Sequence, residues 1–383
     1  MKTKHFLTAS TATLCLFTPL LTRVQAAALA YTITDLGTLG GTNSYANGIN
    51  DFGQVAGFSD VTGDNGRHAV RWTNTTPTDL TPLGGSFNWG IGSSINASGV
   101  VTGSSYITGN GAQHAVRWTG TTPTDLGTLG VASDNQSFGF GVNSSGQVVG
   151  GSNTIGGGPV APTHGVIWTG TTATDLGTLG GASSYGFGIN DSGQVAGWST
   201  FTGSSVRHAV RWTGTLATAL TDLGGDSIGF YINASGQIAG QSRTTGDHGP
   251  HAVLWTGTTP TDLGTFSGPT SRSYGMNGFG DVVGMSSTSV ANNTPEEPFI
   301  YTGGIMYNLN SLIVNGSGVG GLTFNTGSLM GNHINNAGQI AITGSVNGGA
   351  VHAILLTPVT TPEPASAVLL LGGAALLGLR RRR

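Results

Sequence analysis

Between residues 31 and 357 the chain repeats one pattern of apolar and polar positions. A clear copy begins at Tyr185 and reads Tyr-Gly-Phe-Gly-Ile-Asn-Asp-Ser-Gly-Gln-Val-Ala-Gly-Trp. A variable polar stretch follows, then His208-Ala-Val-Arg-Trp-Thr-Gly and Thr221-Asp222-Leu223-Gly224. Val, Ile, Trp and Thr fill the apolar runs, and Gly and Asn punctuate them, which is the composition of strands joined by turns. Asn-x-x-Gly between two runs predicts a tight hairpin, with Asn closing an Asx-turn and Gly taking the φ > 0 position.

Three signals recur, and each is found seven times. Asn followed three positions later by Gly stands at Asn50, Asn96, Asn143, Asn190, Asn233, Asn277 and Asn335. His-Ala-x-x-Trp stands at His68, His114, His208 and His251, with variants at His164, Glu297 and His352. Asp-Leu followed by Gly or Thr stands at Asp35, Asp79, Asp125, Asp175, Asp222 and Asp262, with a degraded copy at Asn308. A period in the forties built from short strands points to a propeller. Four strands per unit are predicted: the run ending at Ile-Asn, the Gln-Val-Ala-Gly run, the His-Ala-Val-Arg-Trp run and the run through Asp-Leu.

The chain order implies how the ring closes. Tyr31 to Leu36 is a fourth strand without its unit, and His352 to Leu356 is a third strand lacking its fourth. Pairing the two completes a seventh blade and removes an exposed sheet edge. The fold predicted is therefore all-β: a seven-bladed β-propeller with four-stranded blades, closed by the N-terminal strand and followed by a single C-terminal transmembrane helix. An open β-solenoid is the alternative.

Composition narrows the chemistry. Residues 31–361 contain no Lys and no Cys, and hold seven Arg against sixteen Asp and Glu, a net of −9. That removes lysine Schiff bases and P-loops, thiol nucleophiles, Cys-based zinc sites and disulfides. An acidic surface without lysine argues against nucleic acid.

The ends carry their own signals. Lys2 and Lys4, an apolar stretch from Phe6 to Leu21 and the small residues Ala26 to Ala30 read as a signal peptide over residues 1–30, to be cut by signal peptidase. An N-terminal membrane anchor is the alternative. At the other end, 358–364 is a linker ending in Pro362, Glu363 and Pro364. Residues 365–379 carry no charge and predict a transmembrane helix, followed by Arg380, Arg381, Arg382 and Arg383 at 380–383. Fifteen helical residues span about 22 Å, short of the ~30 Å apolar slab, which snorkelling arginines help to bridge. The arginine cluster belongs on the cytoplasmic side.

This tripartite end resembles the PEP-CTERM sorting signal. The resemblance implies recognition by an exosortase-type membrane protease or transpeptidase, with cleavage near Pro362-Glu363-Pro364. It also implies an inner-membrane intermediate, delivery to the cell surface or extracellular matrix, and a Gram-negative host that makes exopolysaccharide. A permanent tail anchor is the alternative. The repeats resemble the HAF family of extracellular repeats through His-Ala-Val-Arg-Trp and Asp-Leu-Gly-Thr-Leu-Gly-Gly. That resemblance implies fold and location and brings no activity with it.

The repeated histidines read as packing residues that hydrogen-bond neighbouring backbone, and the repeated aspartates as backbone-bonding residues before a turn. No catalytic residue, metal site or cofactor is indicated. Asp247-His248 with His251, and Asp64 with Asn65, are too loosely patterned for metal. Alternating strands put the Asn-x-x-Gly and Trp-Thr-Gly turns on one face and the variable stretches 58–67, 104–113, 151–163, 198–207, 241–250 and 285–297 on the other. Function concentrates on such loops, and Tyr106, Trp198, Arg243 and Asp247 are the candidate ligand-binding residues, by stacking and hydrogen bonding. These readings favour a non-enzymatic surface or matrix protein binding polysaccharide or protein. A secreted polysaccharide hydrolase or lyase and a purely structural envelope protein are the alternatives.

Overall fold

The computed structural model describes residues 29–84, 90–109, 111–130, 136–154, 162–246, 249–289, 296–315, 319–324 and 331–359. Residues 30–359 make one compact unit. The predicted signal peptide, apart from its last two residues, and the predicted sorting signal lie outside the described residues, the transmembrane helix at 365–379 included. Among the described residues no helix is long and apolar enough to cross a membrane.

Seven antiparallel sheets follow one another along the chain. Blades 1 to 6 span 40–80, 90–125, 137–175, 180–219, 224–262 and 271–308, each with four strands in sequence order. In blade 4 these are Gly180–Ile189, Gln194–Phe201, Arg207–Thr213 and Leu216–Ala219. Blade 7 joins Val319–Thr323, Ile340–Val346 and Val351–Pro358 to the N-terminal strand Tyr31–Asp35. The predicted closure is present: Tyr31 pairs with Pro358 and Asp35 with Ile354, antiparallel. The sequence did not suggest a fifth strand, Ile313–Asn315, which lies parallel to Tyr31–Asp35 and covers that edge.

The first strand of each unit is innermost, because residues from the ends of these segments in all seven blades line one axial cavity. In the second strand a recurrent glycine fits beneath a bulge of the first. A Cβ on Gly197 would stand 1.9 Å from the Tyr185 carbonyl oxygen, and one on Gly57 would stand equally close to that of Tyr45. Blade 7 carries Ile342 at this position. Its inner strand is interrupted: Val319–Thr323 pairs with Thr343 to Val346, and Ile334 alone bridges to Ile340.

The core repeats as the sequence does. Trp72, Trp118, Trp168, Trp212 and Trp255 are fully buried. Burying each indole removes a large apolar area from water and supplies much of the inter-blade attachment. A second device fastens neighbours. The Ala209 N–H donates to Ser227 Oγ of blade 5, and the Ala115 N–H to Ser137 Oγ of blade 3, at 2.9 Å each. Across the closure, the Ala353 N–H donates to Ser44 Oγ of blade 1 at 2.9 Å. The arginine of the motif also braces blades: Arg71 donates to the Gly99 carbonyl and Arg117 to that of Gly146.

Candidate ligand-binding faces

The repeated histidine and aspartate form one unit, a pairing missed in the sequence. His68 Nδ1 lies 2.7 Å from Asp79, His114 2.9 Å from Asp125, His164 2.8 Å from Asp175 and His251 2.9 Å from Asp262. The partner of each histidine is thus a carboxylate on the fourth strand rather than neighbouring backbone. The expected backbone role of the aspartates is also seen: Asp125 accepts the Gly127 N–H and Asp175 the Gly177 N–H. Burial pushes the Asp125 carboxyl up, but hydrogen bonds from His114 and Gly127 and the charge of His114 outweigh it, leaving a net downward shift.

Two units vary this arrangement. In blade 4 the fourth-strand position is Ala219, opposite Val210, and Asp222 sits three residues later, reaching His208 at 3.4 Å. In blade 6 the acid has changed strands: Asn308 Nδ2 donates to Glu297, and Asn308 Oδ1 accepts the Asn310 N–H. The sixth copy, which reads as degraded, keeps a hydrogen-bonded pair with the roles exchanged. Every pair stays within its own blade or the turn just after it, and His352 with Asp35 does so in blade 7, across the closure. Among the described residues no group of three or more His, Cys, Asp or Glu is placed to hold a metal ion. Asp64 instead accepts the Thr42 hydroxyl and N–H, which lower its carboxyl pKa.

On the face of the variable stretches the strands run further than expected. Trp198, Tyr106 and Arg243 lie on strands, because the backbone there stays paired, on both sides at Trp198 and with the third strand at Tyr106 and Arg243. Trp198 pairs with Tyr185 and Ala209, Tyr106 with Gln113, and Arg243 with Pro250. Tyr106 and Arg243 hold the same strand position in blades 2 and 5, two residues beyond that of Trp198 in blade 4. Asp247 lies outside the described residues.

The structure groups Trp198 with residues the sequence reading passed over. Its ring stacks on Tyr185 with centroids 5.3 Å apart, and the Arg207 guanidinium lies 5.8 Å from its centroid, within cation–π range. Asp226 of blade 5 fixes Arg207, accepting its backbone N–H at 2.8 Å and its guanidinium through both oxygens. Blade 1 repeats the device. Tyr45 stacks on Phe58 at 4.7 Å, Arg67 lies 5.8 and 5.6 Å from the two rings, and Asp60 holds Arg67 Nε at 2.9 Å. A sequence signal existed: Arg-His-Ala-Val-Arg-Trp occurs in units 1 and 4 alone. Arg67 and Arg207 keep 41% and 42% of their side chains exposed, so both platforms have a wet edge.

The opposite face opens on the axis. Asparagines form a relay there: Asn50 Nδ2 donates to the Asn96 carbonyl, Asn96 to Asn143, Asn143 to Asn190 and Asn190 to Asn233, and Asn335 donates to Asn50. Each of these links spans one blade boundary. The cavity within holds about 270 Å³. Asp51 and Asp191 line it, Asp51 accepting the backbone and side-chain N–H groups of Asn336, and Asp191 accepting the Ser144 N–H. Deeper on the axis a second cavity is lined by Phe140, Phe187 and Tyr231. His333, fully buried nearby, donates through Nδ1 to the Ala341 carbonyl at 2.7 Å. Burial lowers its pKa to about 4 against the opposing pull of that bond.

Solved structures align over much of the chain at low identity. A gluconolactonase from Xanthomonas campestris, XC5397, is 12% identical with a TM-score of 0.39, covering 86% of this chain and 95% of that one. TolB from Acinetobacter baumannii is 11% identical with a TM-score of 0.35, covering 66% and 60%. A protein of unknown function from Dyadobacter fermentans is 9% identical with a TM-score of 0.38, covering 87% and 100%. No curated protein matches the chain. Residues 360–383 match the model of the PEP-CTERM protein-sorting motif, so the chain carries a sorting signal that implies export toward the cell surface.

Proposed function

We propose that this is a non-enzymatic surface or matrix protein whose HAF-type propeller binds polysaccharide through the loop-face platforms. The observation that carries the reading is the Arg207–Trp198–Tyr185 stack, held from the next blade by Asp226 and repeated in blade 1. A stacked aromatic with a wet, hydrogen-bonding edge suits a sugar ring, which is apolar on its faces and polar around its rim. A fixed guanidinium pays little ordering entropy on binding. Tyr106 and Arg243 extend the same face into blades 2 and 5. Delivery follows from the two ends: residues 1–30 direct export, 365–379 hold the chain in the inner membrane with Arg380 to Arg383 inside, and an exosortase-type enzyme cuts near Pro362-Glu363-Pro364.

The test is a glycan array that includes the producing strain's own exopolysaccharide, probed with the exported protein and with Trp198→Ala/Arg207→Ala. Losing both contacts should weaken the bound glycan by about ten-fold or more. Absence of binding to every glycan, or an unaffected double variant, would overturn the reading.

A further inference from the structure

The turn face offers a second site, independent of the platforms. The third residue of the Asn-x-x-Gly turn is Ser98, Ser145, Ser192 and Ser235 in blades 2 to 5 and Ala337 in blade 7. In blades 1 and 6 it is Phe52 and Phe279, each 77% exposed. The turn itself does not require an aromatic: the Phe52, Ser98 and Phe279 N–H groups make the same bond to the turn asparagine, at 3.1, 3.0 and 3.0 Å. The fold is thus indifferent to this side chain, and water disfavours a bare phenyl ring.

The two phenylalanines are not scattered. Blade 7 lies between blades 1 and 6, and its Asn336 ties both turns together. Asn336 donates its backbone N–H and Nδ2 to the two oxygens of Asp51, at 2.9 and 2.8 Å, while its Oδ1 accepts the Gly278 N–H at 2.7 Å. Phe52 follows Asp51 and Phe279 follows Gly278, so the rings flank one bridged segment of the cavity mouth. Asp51, Gly278 and Asn336 all line that cavity.

We infer that this mouth binds the end of a neutral or amino-sugar carbohydrate chain. Among the described residues no Arg, Lys or His lines the cavity, and the charged groups that do are the carboxylates Asp51 and Asp191. Acidic polysaccharide is therefore repelled, whereas sugar hydroxyls and ammonium groups find acceptors, since a carboxylate has lone pairs beyond those Asn336 uses. The volume of about 270 Å³ falls below the ~300–1,000 Å³ of drug-sized pockets, which suits a terminal residue rather than a long stretch of polymer. The two rings supply flat apolar faces for sugar C–H groups.

The test uses the exported protein with cellotetraose, mannotetraose, chitotetraose and chitosan tetramer as probes, and tetragalacturonic acid as the acidic control, read by NMR titration. Phe52→Ser/Phe279→Ser installs the residue that blades 2 to 5 already carry, so the variant should melt like the wild type. Binding of one or more neutral or amino-sugar probes, weakened about ten-fold or more by this variant and unchanged by Trp198→Ala/Arg207→Ala, is the expected result. The inference is overturned if no such probe binds, if the acidic tetramer binds as well, or if the Phe52→Ser/Phe279→Ser variant binds normally. It is also overturned if the wild type self-associates in ultracentrifugation and the variant is monomeric, which would make a second copy of the chain the occupant. Loss of loop-face binding with this site intact defeats the platform reading alone.

Discussion

His352 Nδ1 stands 2.9 Å from both carboxylate oxygens of Asp35, a residue 317 positions earlier in the chain. In five other blades the same histidine and aspartate meet across a hairpin or the turn after it. Here they join the last complete strand to the first, and the ring is closed by a copy of its own repeat. Asp35 also accepts the Gly37 N–H at 2.8 Å, which orients the carboxylate toward the histidine.

Asp35→Asn should weaken the closure without altering the core. Both side chains are partly exposed, at 19% and 36%, so a loss of only about 1 kcal/mol is expected. Urea denaturation measures it. Removing residues 31–36 altogether should lower hydrogen-exchange protection at the amides of Val351–Pro358 that face Tyr31–Asp35; unchanged protection would contradict the closed ring.

The exchanged pair in blade 6 predicts coupling. Glu297→His alone sets a histidine against Asn308, and Asn308→Asp alone sets two acids together. The double variant restores the pairing used elsewhere. A double-mutant cycle on unfolding free energy should show favourable coupling of roughly 1 kcal/mol. Additive effects would mean that the two residues do not act as a pair.

Gly197→Ala should destabilise by about 1–3 kcal/mol, because the added methyl meets the Tyr185 carbonyl at 1.9 Å. Ile342→Ala in blade 7 makes the opposite change in a site that tolerates bulk. It should cost about 2–5 kcal/mol through a cavity, since Ile342 is fully buried. Thermal melts compare the two.

His333 predicts a pH dependence. The unfolded imidazole takes up a proton below about 6.5, whereas the buried one resists until about 4. Between these values the unfolded state binds more protons, so stability is lost as pH falls through the window and the loss levels off below it. The contribution approaches roughly 3 kcal/mol at its limit. Urea denaturation at pH 7 and pH 4.5 should show a smaller drop for His333→Gln than for the wild type; equal drops would place the effect elsewhere.

Local patterning determined the repeat, the four-stranded blade, the seven blades and the closure by the N-terminal strand, because each strand's alternation and each Asn-x-x-Gly turn is written in contiguous residues. It also located the sorting signal, from Pro362 to Arg383. The Arg207–Trp198–Tyr185 platform was only partly legible: Trp198 stood out as an aromatic, but its partners lie on two other strands. Asp226, which fixes Arg207, belongs to another blade. The His–Asp pairs were visible as two separate repeats, and only strand register joined them. The flanking of one bridged asparagine by Phe52 and Phe279 required the ring itself, since blades 1 and 6 are far apart in sequence and meet blade 7 from either side. Sequence specifies the blade through short-range periodicity; which blades face each other, and hence where sites form, depends on contacts that closing the ring creates.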